Sequence, residues 1–318
     1  MKVRFWGTRG SLPVSLTAPE LRERLVHALV AAAGRGVQTP EQARAFVDGL
    51  DFAQGGTFGG HSACVQLDGG DADEYLLCDC GSGARAFAQR VMRERAGRPA
   101  TYHLLMSHLH WDHIMGFPFF TPAYVAGNRV VVHGCHAELE HAFRRQQDAP
   151  SFPVPLAALR ADIRFEVLTP GESCDIGGFR VTPKLQQHGG DSYGYRIERD
   201  GRCVVYSTDS EHKLDDFAVT RSFADFFRDA DLVVFDAMYS LAEAVSMKED
   251  WGHSSNVVGV ELCQMAQARC LCLFHHEPVA DDAALQRLLE ETRRFEAITR
   301  REHAVEVIAA YDGLEREL

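Results

Sequence analysis

Between residues 108 and 113 the chain carries three imidazoles and a carboxylate, His108, His110, Asp112 and His113, within the segment Ser-His-Leu-His-Trp-Asp-His. The apolar run His103-Leu104-Leu105-Met106 precedes it and Gly116 follows, so a strand would deliver all four groups into one short connection. Imidazole nitrogens and a carboxylate oxygen at this spacing suit Zn²⁺ or a similar first-row ion, with bonds of about 2.0 to 2.2 Å. A single histidine in such a place would be read as a hydrogen-bonded structural residue. Four donors together point to a metal.

The order His-x-His-x-Asp-His at a strand end resembles the signature of the metallo-β-lactamase superfamily, and the resemblance extends over almost the whole chain. It implies an α/β fold, a four-layer α/β/β/α sandwich of the metallo-β-lactamase type, and a hydrolase with two divalent metal ions. Zn²⁺ is the first expectation, with Mn²⁺ or Fe²⁺ as alternatives. Carried over residue by residue, the resemblance implies that His108, His110 and His188 hold one metal, that Asp112, His113 and His275 hold the other, and that Asp209 bridges them. His275 and His276 are adjacent imidazoles, and only the alignment of the strand end favours His275. Asp79, in Leu-Cys-Asp-Cys-Gly-Ser-Gly, matches the acidic residue that comes before the signature and would orient a ligand or lie beside the metals. Two cations sharing one water lower its pKa toward neutrality and present hydroxide to an electrophile. Di-iron redox relatives carry an acidic residue where this chain has His110, so the second histidine argues for hydrolysis.

Other segments are similar to the ribonuclease Z and cyclic-phosphodiesterase branch: Phe5-Trp6-Gly7-Thr8-Arg9-Gly10-Ser11, Gly59-Gly60-His61-Ser62, and Ser192-Tyr193-Gly194-Tyr195-Arg196. Trp251-Gly252-His253-Ser254-Ser255 is similar to the Gly-His-Ser-Thr element of ribonuclease Z, whose histidine assists the leaving oxygen. Asp236 stands where that family has a glutamate orienting this histidine; the shorter side chain leaves the pairing open. The resemblance thus places Asp112, His253 and Asp236 among the catalytic groups. Arg9 and Arg196 could pair with a substrate phosphate.

The net charge of −12 repels polyanions, and no Lys/Arg/Gly-rich insertion is present that could hold transfer RNA. A small phosphodiester such as a cyclic nucleotide is the better expectation, and long nucleic acid is not. Two other readings compete. One is a metallohydrolase acting on a carbonyl, in a lactone, thioester or β-lactam; the other is a metal- or nucleotide-binding sensor without turnover.

Strand-like runs must position these groups. They recur at Val3–Trp6, Ala63–Leu67, Tyr75–Cys78, His103–Met106, Arg129–Val132 and Ile163–Val167, and again at Phe179–Thr182, Ser192–Glu198, Cys203–Ser207, Leu232–Phe235, Cys270–Phe274 and Ala304–Ile308. Helical periodicity marks Ala84–Ala96, Ala137–Arg145, Phe223–Arg228, Asn256–Ala268 and Ala283–Arg301. Two strand series with accompanying helices predict two packed sheets with helices outside, in one domain spanning 1–318. Residues 18–52 read as an inserted helical hairpin, Glu20–Ala33 and Pro40–Leu50, either simply packed on the body or serving as a lid over the site or a homodimer contact. The nine cysteines sit mostly in apolar runs and behave as core residues, with Cys78 and Cys80 both expected on the strand face opposite Asp79. No apolar run is long enough to span a membrane and no charged start leads into an apolar stretch, so a cytoplasmic protein without membrane association is expected.

Overall fold

The computed structural model describes residues 1–239, 252–300 and 302–318. Trp251, which opens the Trp-Gly-His-Ser-Ser element, and Arg301, at the end of the last expected helix, lie outside the described residues.

Among the described residues the strands form two seven-stranded sheets. The first contains β1 (Lys2–Gly7), β2 (Cys64–Asp68), β3 (Glu74–Cys78), β4 (Thr101–Leu105), β5 (Arg129–Gly134) and β6 (Asp162–Val167), with β14 (Glu315–Glu317) at its edge. The second runs β13 (Glu306–Ala309), β12 (Cys270–Phe274), β11 (Leu232–Asp236), β10 (Arg202–Ser207), β9 (Ser192–Arg199), β8 (Phe179–Gln186) and β7 (Cys174–Ile176). Most strands that carry the chemistry lie in parallel runs, β3 through β6 in the first sheet and β10 through β13 in the second; β8 is antiparallel to its neighbour β9. Parallel neighbours end at the same edge, so residues just past their C-terminal ends are brought together.

Period-two alternation gives each sheet two buried faces. Phe5, Val65, Leu76 and Leu105 of the first sheet meet Val181, Tyr195, Val204 and Phe274 of the second in a central core. The opposite face of the first sheet, with Leu77, Leu104 and Val132, is covered by α4 (Ala84–Arg95) and α6 (Leu139–Gln147) through Phe87 and Phe143. The outer face of the second, with Val205, Val233 and Leu271, is covered by α7 (Phe217–Phe227), α8 (Asn256–Ala266) and α9 (Asp282–Thr299). The architecture is the expected α/β/β/α sandwich.

The insertion forms α1 (Ala18–Ala32), α2 (Pro40–Asp48) and the short α3 (Phe52–Gly55). Thr17 with Glu20 and Thr39 with Gln42 make capping boxes, each followed by proline at the helix start, which specifies both N-termini locally. No residue of α1 or α2 is buried. The hairpin is held at its base by Arg24, which pairs with the buried Asp282 and donates to the Gly56 carbonyl. No described helix is long and apolar enough to cross a membrane.

Cys78 and Cys80 do not share a face. Asp79 between them has φ +60°, which breaks the alternation, so Cys78 lies in the central core and Cys80 in the core under the helices. All nine cysteines are free thiols.

Candidate metal centre

Six strand ends supply the centre. Asp79 follows β3, the 107–113 segment follows β4, His188 follows β8, Asp209 follows β10, Asp236 ends β11 and His275 follows β12. Asp79, Asp209 and His275 all adopt positive φ, at +60°, +49° and +61°. Residues other than glycine rarely do so, and each turns its side chain sharply out of the strand line into the same space.

The donors fall into two groups. One ligand atom each from His108, His110 and His188 lies within 4.8 Å of the others, and the same holds for Asp112, His113, Asp209 and His275. Asp209 reaches both groups: its Oδ1 is 3.2 Å from His113 Nε2 and from His275 Nε2, and its Oδ2 is 3.5 Å from His108 Nε2. Asp112 Oδ2 lies 3.2 Å from His113 Nε2. The seven side chains expected to hold metal are thus brought together in two clusters, with Asp209 reaching both.

Hydrogen bonds at the far side of each ring fix which nitrogen faces inward. His113 Nδ1 donates to Asp79 Oδ2 at 2.7 Å. Ser107 Oγ also donates to that oxygen, and so it accepts from His108 Nδ1 at 3.1 Å. His188 Nδ1 donates to the Gly252 carbonyl at 2.8 Å. With Nδ1 held in this way, each ring turns Nε2 to the interior, the nitrogen a metal would engage. Burial lowers the His113 pKa, but the carboxylates of Asp209, Asp112 and Asp79 outweigh it and raise it well above its ordinary value, so a metal would displace a proton there. His108 Nε2 is buried with no hydrogen-bond partner, a costly arrangement for a polar atom unless something else fills its lone pair. Three buried carboxylates and inward-facing lone pairs form a donor set that suits divalent cations, so the residues present fit a metal.

The carboxylates are poised in their ionised form. Burial pushes Asp112 and Asp209 upward, but His113 and the neighbouring imidazoles outweigh it and hold both below the usual carboxylate range. Burial, reinforced by the neighbouring His113, drives His108 well below its ordinary value, so that ring stays neutral as a ligand must be.

His275 is the inward ring and His276 is not. His276 Nε2 donates to the Ala310 carbonyl at 2.7 Å behind the sheet, and burial pushes its pKa down to about 4. Gly10 explains how His275 fits: a Cβ there would lie 2.5 Å from His275 Cε1. Gly252 is restricted in the same way, with φ +84° and a Cβ position 2.5 Å from His188 Nδ1.

Beside the donors, His253 Nδ1 meets Asp236 Oδ2 at 2.7 Å, and its ring stacks on His275 with centroids 5.0 Å apart. Burial pulls the His253 imidazolium down, yet the Asp236 carboxylate more than offsets this and carries its pKa up to about 9. Cations bound alongside would pull it back toward neutrality. The aspartate is thus long enough for the pairing that the sequence left open.

Arg9 and Arg196 are elsewhere. Arg9 is buried, its guanidinium donating to the carbonyls of Gly59, Glu277 and Ala280 and lying 3.9 Å from Asp282. Arg196 spans Glu198 and the carbonyls of Phe226 and Arg228 at the end of α7. Both are structural clamps rather than phosphate ligands. Three supporting groups escaped the sequence reading: Ser11, whose N–H donates to Asp112 Oδ2; Ser107; and Tyr206, whose hydroxyl donates to Asp79 Oδ2. Ser107 and Tyr206 stand next to ligand segments and Ser11 closes the Gly-rich opening turn, and each of these was a usable signal.

Residues 74–276 match the family model described as "Beta-lactamase superfamily domain". A ribonuclease Z of Haloarcula marismortui is 24% identical over 306 residues, covering 81% of this chain and 90% of that protein. Among solved structures, the metallo-β-lactamase fold protein YhfI of Bacillus subtilis matches with TM-score 0.66 at 18% identity, covering 100% of this chain and 99% of that one. Human tRNase Z, short form, matches with TM-score 0.59 at 19% identity over 100% and 99% of the two chains. The chain belongs to the metallo-β-lactamase superfamily, and in sequence it is similar to ribonucleases Z. It is a metal-dependent hydrolase.

Proposed function

We propose that this chain is a two-metal phosphodiesterase acting on a small phosphodiester such as a cyclic nucleotide, with Zn²⁺ as its first-choice ion. The observation that carries the reading is the His253–Asp236 pair, set against the donor groups at the same strand ends. Cleaving a phosphodiester expels an alkoxide, which needs a proton, and a histidine held by a carboxylate beside the ligands can provide one.

His108, His110 and His188 would hold one ion, Asp112, His113 and His275 the other, and Asp209 reaches both sets. When bound, such ions would lower the pKa of a bound water and stabilise negative charge on the phosphoryl oxygens. The chain's own residues do the rest. Asp79 accepts from Ser107, His113 and Tyr206 and so locks the 107–113 segment. Asp236 accepts from His253 Nδ1 and so leaves Nε2 to deliver the proton to the departing oxygen. With Arg9 and Arg196 committed to backbone carbonyls, phosphate recognition falls to the cations. The net charge of −12 disfavours a long polyanion and favours a small substrate.

The test is hydrolysis of bis(p-nitrophenyl) phosphate and of cyclic nucleotides by Zn²⁺- or Mn²⁺-loaded protein, beside His110→Ala and His253→Ala. Cleavage of both substrate types, abolished in His110→Ala and impaired in His253→Ala, supports the reading. Metal uptake without cleavage of any phosphodiester sinks it and directs attention to lactone and thioester substrates.

A further inference from the structure

The chain leaves one large aromatic side chain in water between two metal ligands. Trp111 follows His110 and precedes Asp112, and 65% of it is exposed. It opens α5 (Trp111–Ile114), in which Asp112 and His113 turn inward to the donors and Ile114 enters the core under the helices. Successive helical positions are 100° apart, so Trp111 falls on the outward side, beside Asp112 and the exposed His110. His110 itself faces the donors, its Nδ1 lying 3.2 Å from His188 Nε2. Trp111 therefore stands at the lip of the metal centre.

Trp6 shows what a structural tryptophan looks like in this fold. It is half-buried, its indole N–H donates to Gln66 Oε1 at 3.1 Å, its ring meets Phe87 edge-on, and Arg90 lies over its face. Among the described residues, Trp111 has no ring, cation or hydrogen-bond acceptor on its indole. A second apolar group stands near the same ligand: Leu12, 55% exposed, follows Ser11, whose N–H is bonded to Asp112 Oδ2. An exposed indole and an exposed leucine beside a polar centre offer apolar surface to a ligand held there.

We propose that Trp111 determines specificity by stacking its indole on a planar base carried by the substrate, so that the preferred phosphodiester is a nucleotide rather than a base-free ester. The proposal rests on the phosphodiesterase reading above and sharpens it. The cations take the charged phosphoryl group, and an indole face offers the complementary half, an uncharged platform for a heteroaromatic ring of any sequence.

Two cyclic phosphodiesters that differ only in the base separate the effects: 2′,3′-cyclic AMP and methyl riboside 2′,3′-cyclic phosphate, each with Zn²⁺-loaded protein. The wild type is expected to prefer cyclic AMP in kcat/KM. The ratio of the two kcat/KM values should fall about tenfold in Trp111→Ala and largely recover in Trp111→Phe, as loss of one stacking contact requires. A wild-type ratio near one, or a ratio that Trp111→Ala leaves unchanged, overturns the proposal, while turnover itself keeps the phosphodiesterase reading intact. If neither ester is cleaved, that reading fails, and binding decides the proposal alone. Adenosine should then quench tryptophan fluorescence in the wild type and not in Trp111→Phe; equal responses overturn it.

Discussion

Asp236 Oδ2 accepts from His253 Nδ1 at 2.7 Å and from the Ser210 N–H at 3.1 Å, while Asp236 Oδ1 accepts from the Met238 N–H at 3.2 Å. Backbone donors thus fix the carboxylate at the length of an aspartate. Asp236→Asn should lower kcat about 10- to 100-fold, because the ring loses the partner that sets its tautomer. Metal content by elemental analysis should stay at the wild-type level. Asp236→Glu should not restore the rate, since an extra methylene displaces the carboxylate from both backbone donors. Loss of metal in Asp236→Asn would show that the pair holds the ligands rather than the proton.

The adjacent imidazoles His275 and His276 have opposite assignments that a pair of variants separates. His275→Ala removes a ring whose Nε2 lies 3.2 Å from Asp209 Oδ1, so bound metal should fall with activity. His276→Ala leaves the Ala310 carbonyl without its buried donor and should cost about 1 to 3 kcal/mol in denaturant unfolding, with metal content retained. Equal metal loss in both variants would refute the distinction.

How far the sequence reached depended on whether a residue's role is local. The cluster at 108–113 was legible from its donor types and spacing alone, His188, Asp209 and His275 only through the resemblance to the metallo-β-lactamase superfamily, and the α/β/β/α layers followed from two series of alternating runs. The strands β7 and β14 were missed: three residues each at a sheet edge carry no readable period. The start of α7 was placed six residues late, although Asp216 signalled it, capping the N–H groups of Ala218 and Val219. Cys78 and Cys80 were given one face because nothing in the residue names reveals the positive φ of Asp79. Arg9 was read as a phosphate ligand because a charge is visible in sequence and the three carbonyls that surround it are not.

Those carbonyls make Arg9 a stability residue. Arg9→Ala should destabilise the fold by about 3 kcal/mol, since it strands buried acceptors at Gly59, Glu277 and Ala280 and removes a cation from beside Asp282. The KM for a phosphodiester, measured well below the melting temperature, should not change. A raised KM in a variant of wild-type stability would return Arg9 to the substrate.

His212 makes the fold sensitive to acid independently of the metal ligands. Its ring is buried, stacks on Phe235 with centroids 5.4 Å apart, meets Phe223 edge-on, and bonds Ser210 Oγ through Nε2 at 3.0 Å. Burial pushes its pKa down to about 4, with Asp236 opposing and Lys184 adding to the shift. The unfolded chain, with an ordinary histidine value of about 6.5, takes up the proton first as the pH falls. Its contribution is therefore neutral above pH 6.5, grows unfavourable below it, and reaches its full size below pH 4. Between pH 7 and pH 5 this one group should remove about 2 kcal/mol of stability. His212→Gln cannot take up that proton, so its unfolding free energy should decline less steeply over the same interval, whatever its value at pH 7. Identical slopes for variant and wild type would show that His212 does not set the acid sensitivity.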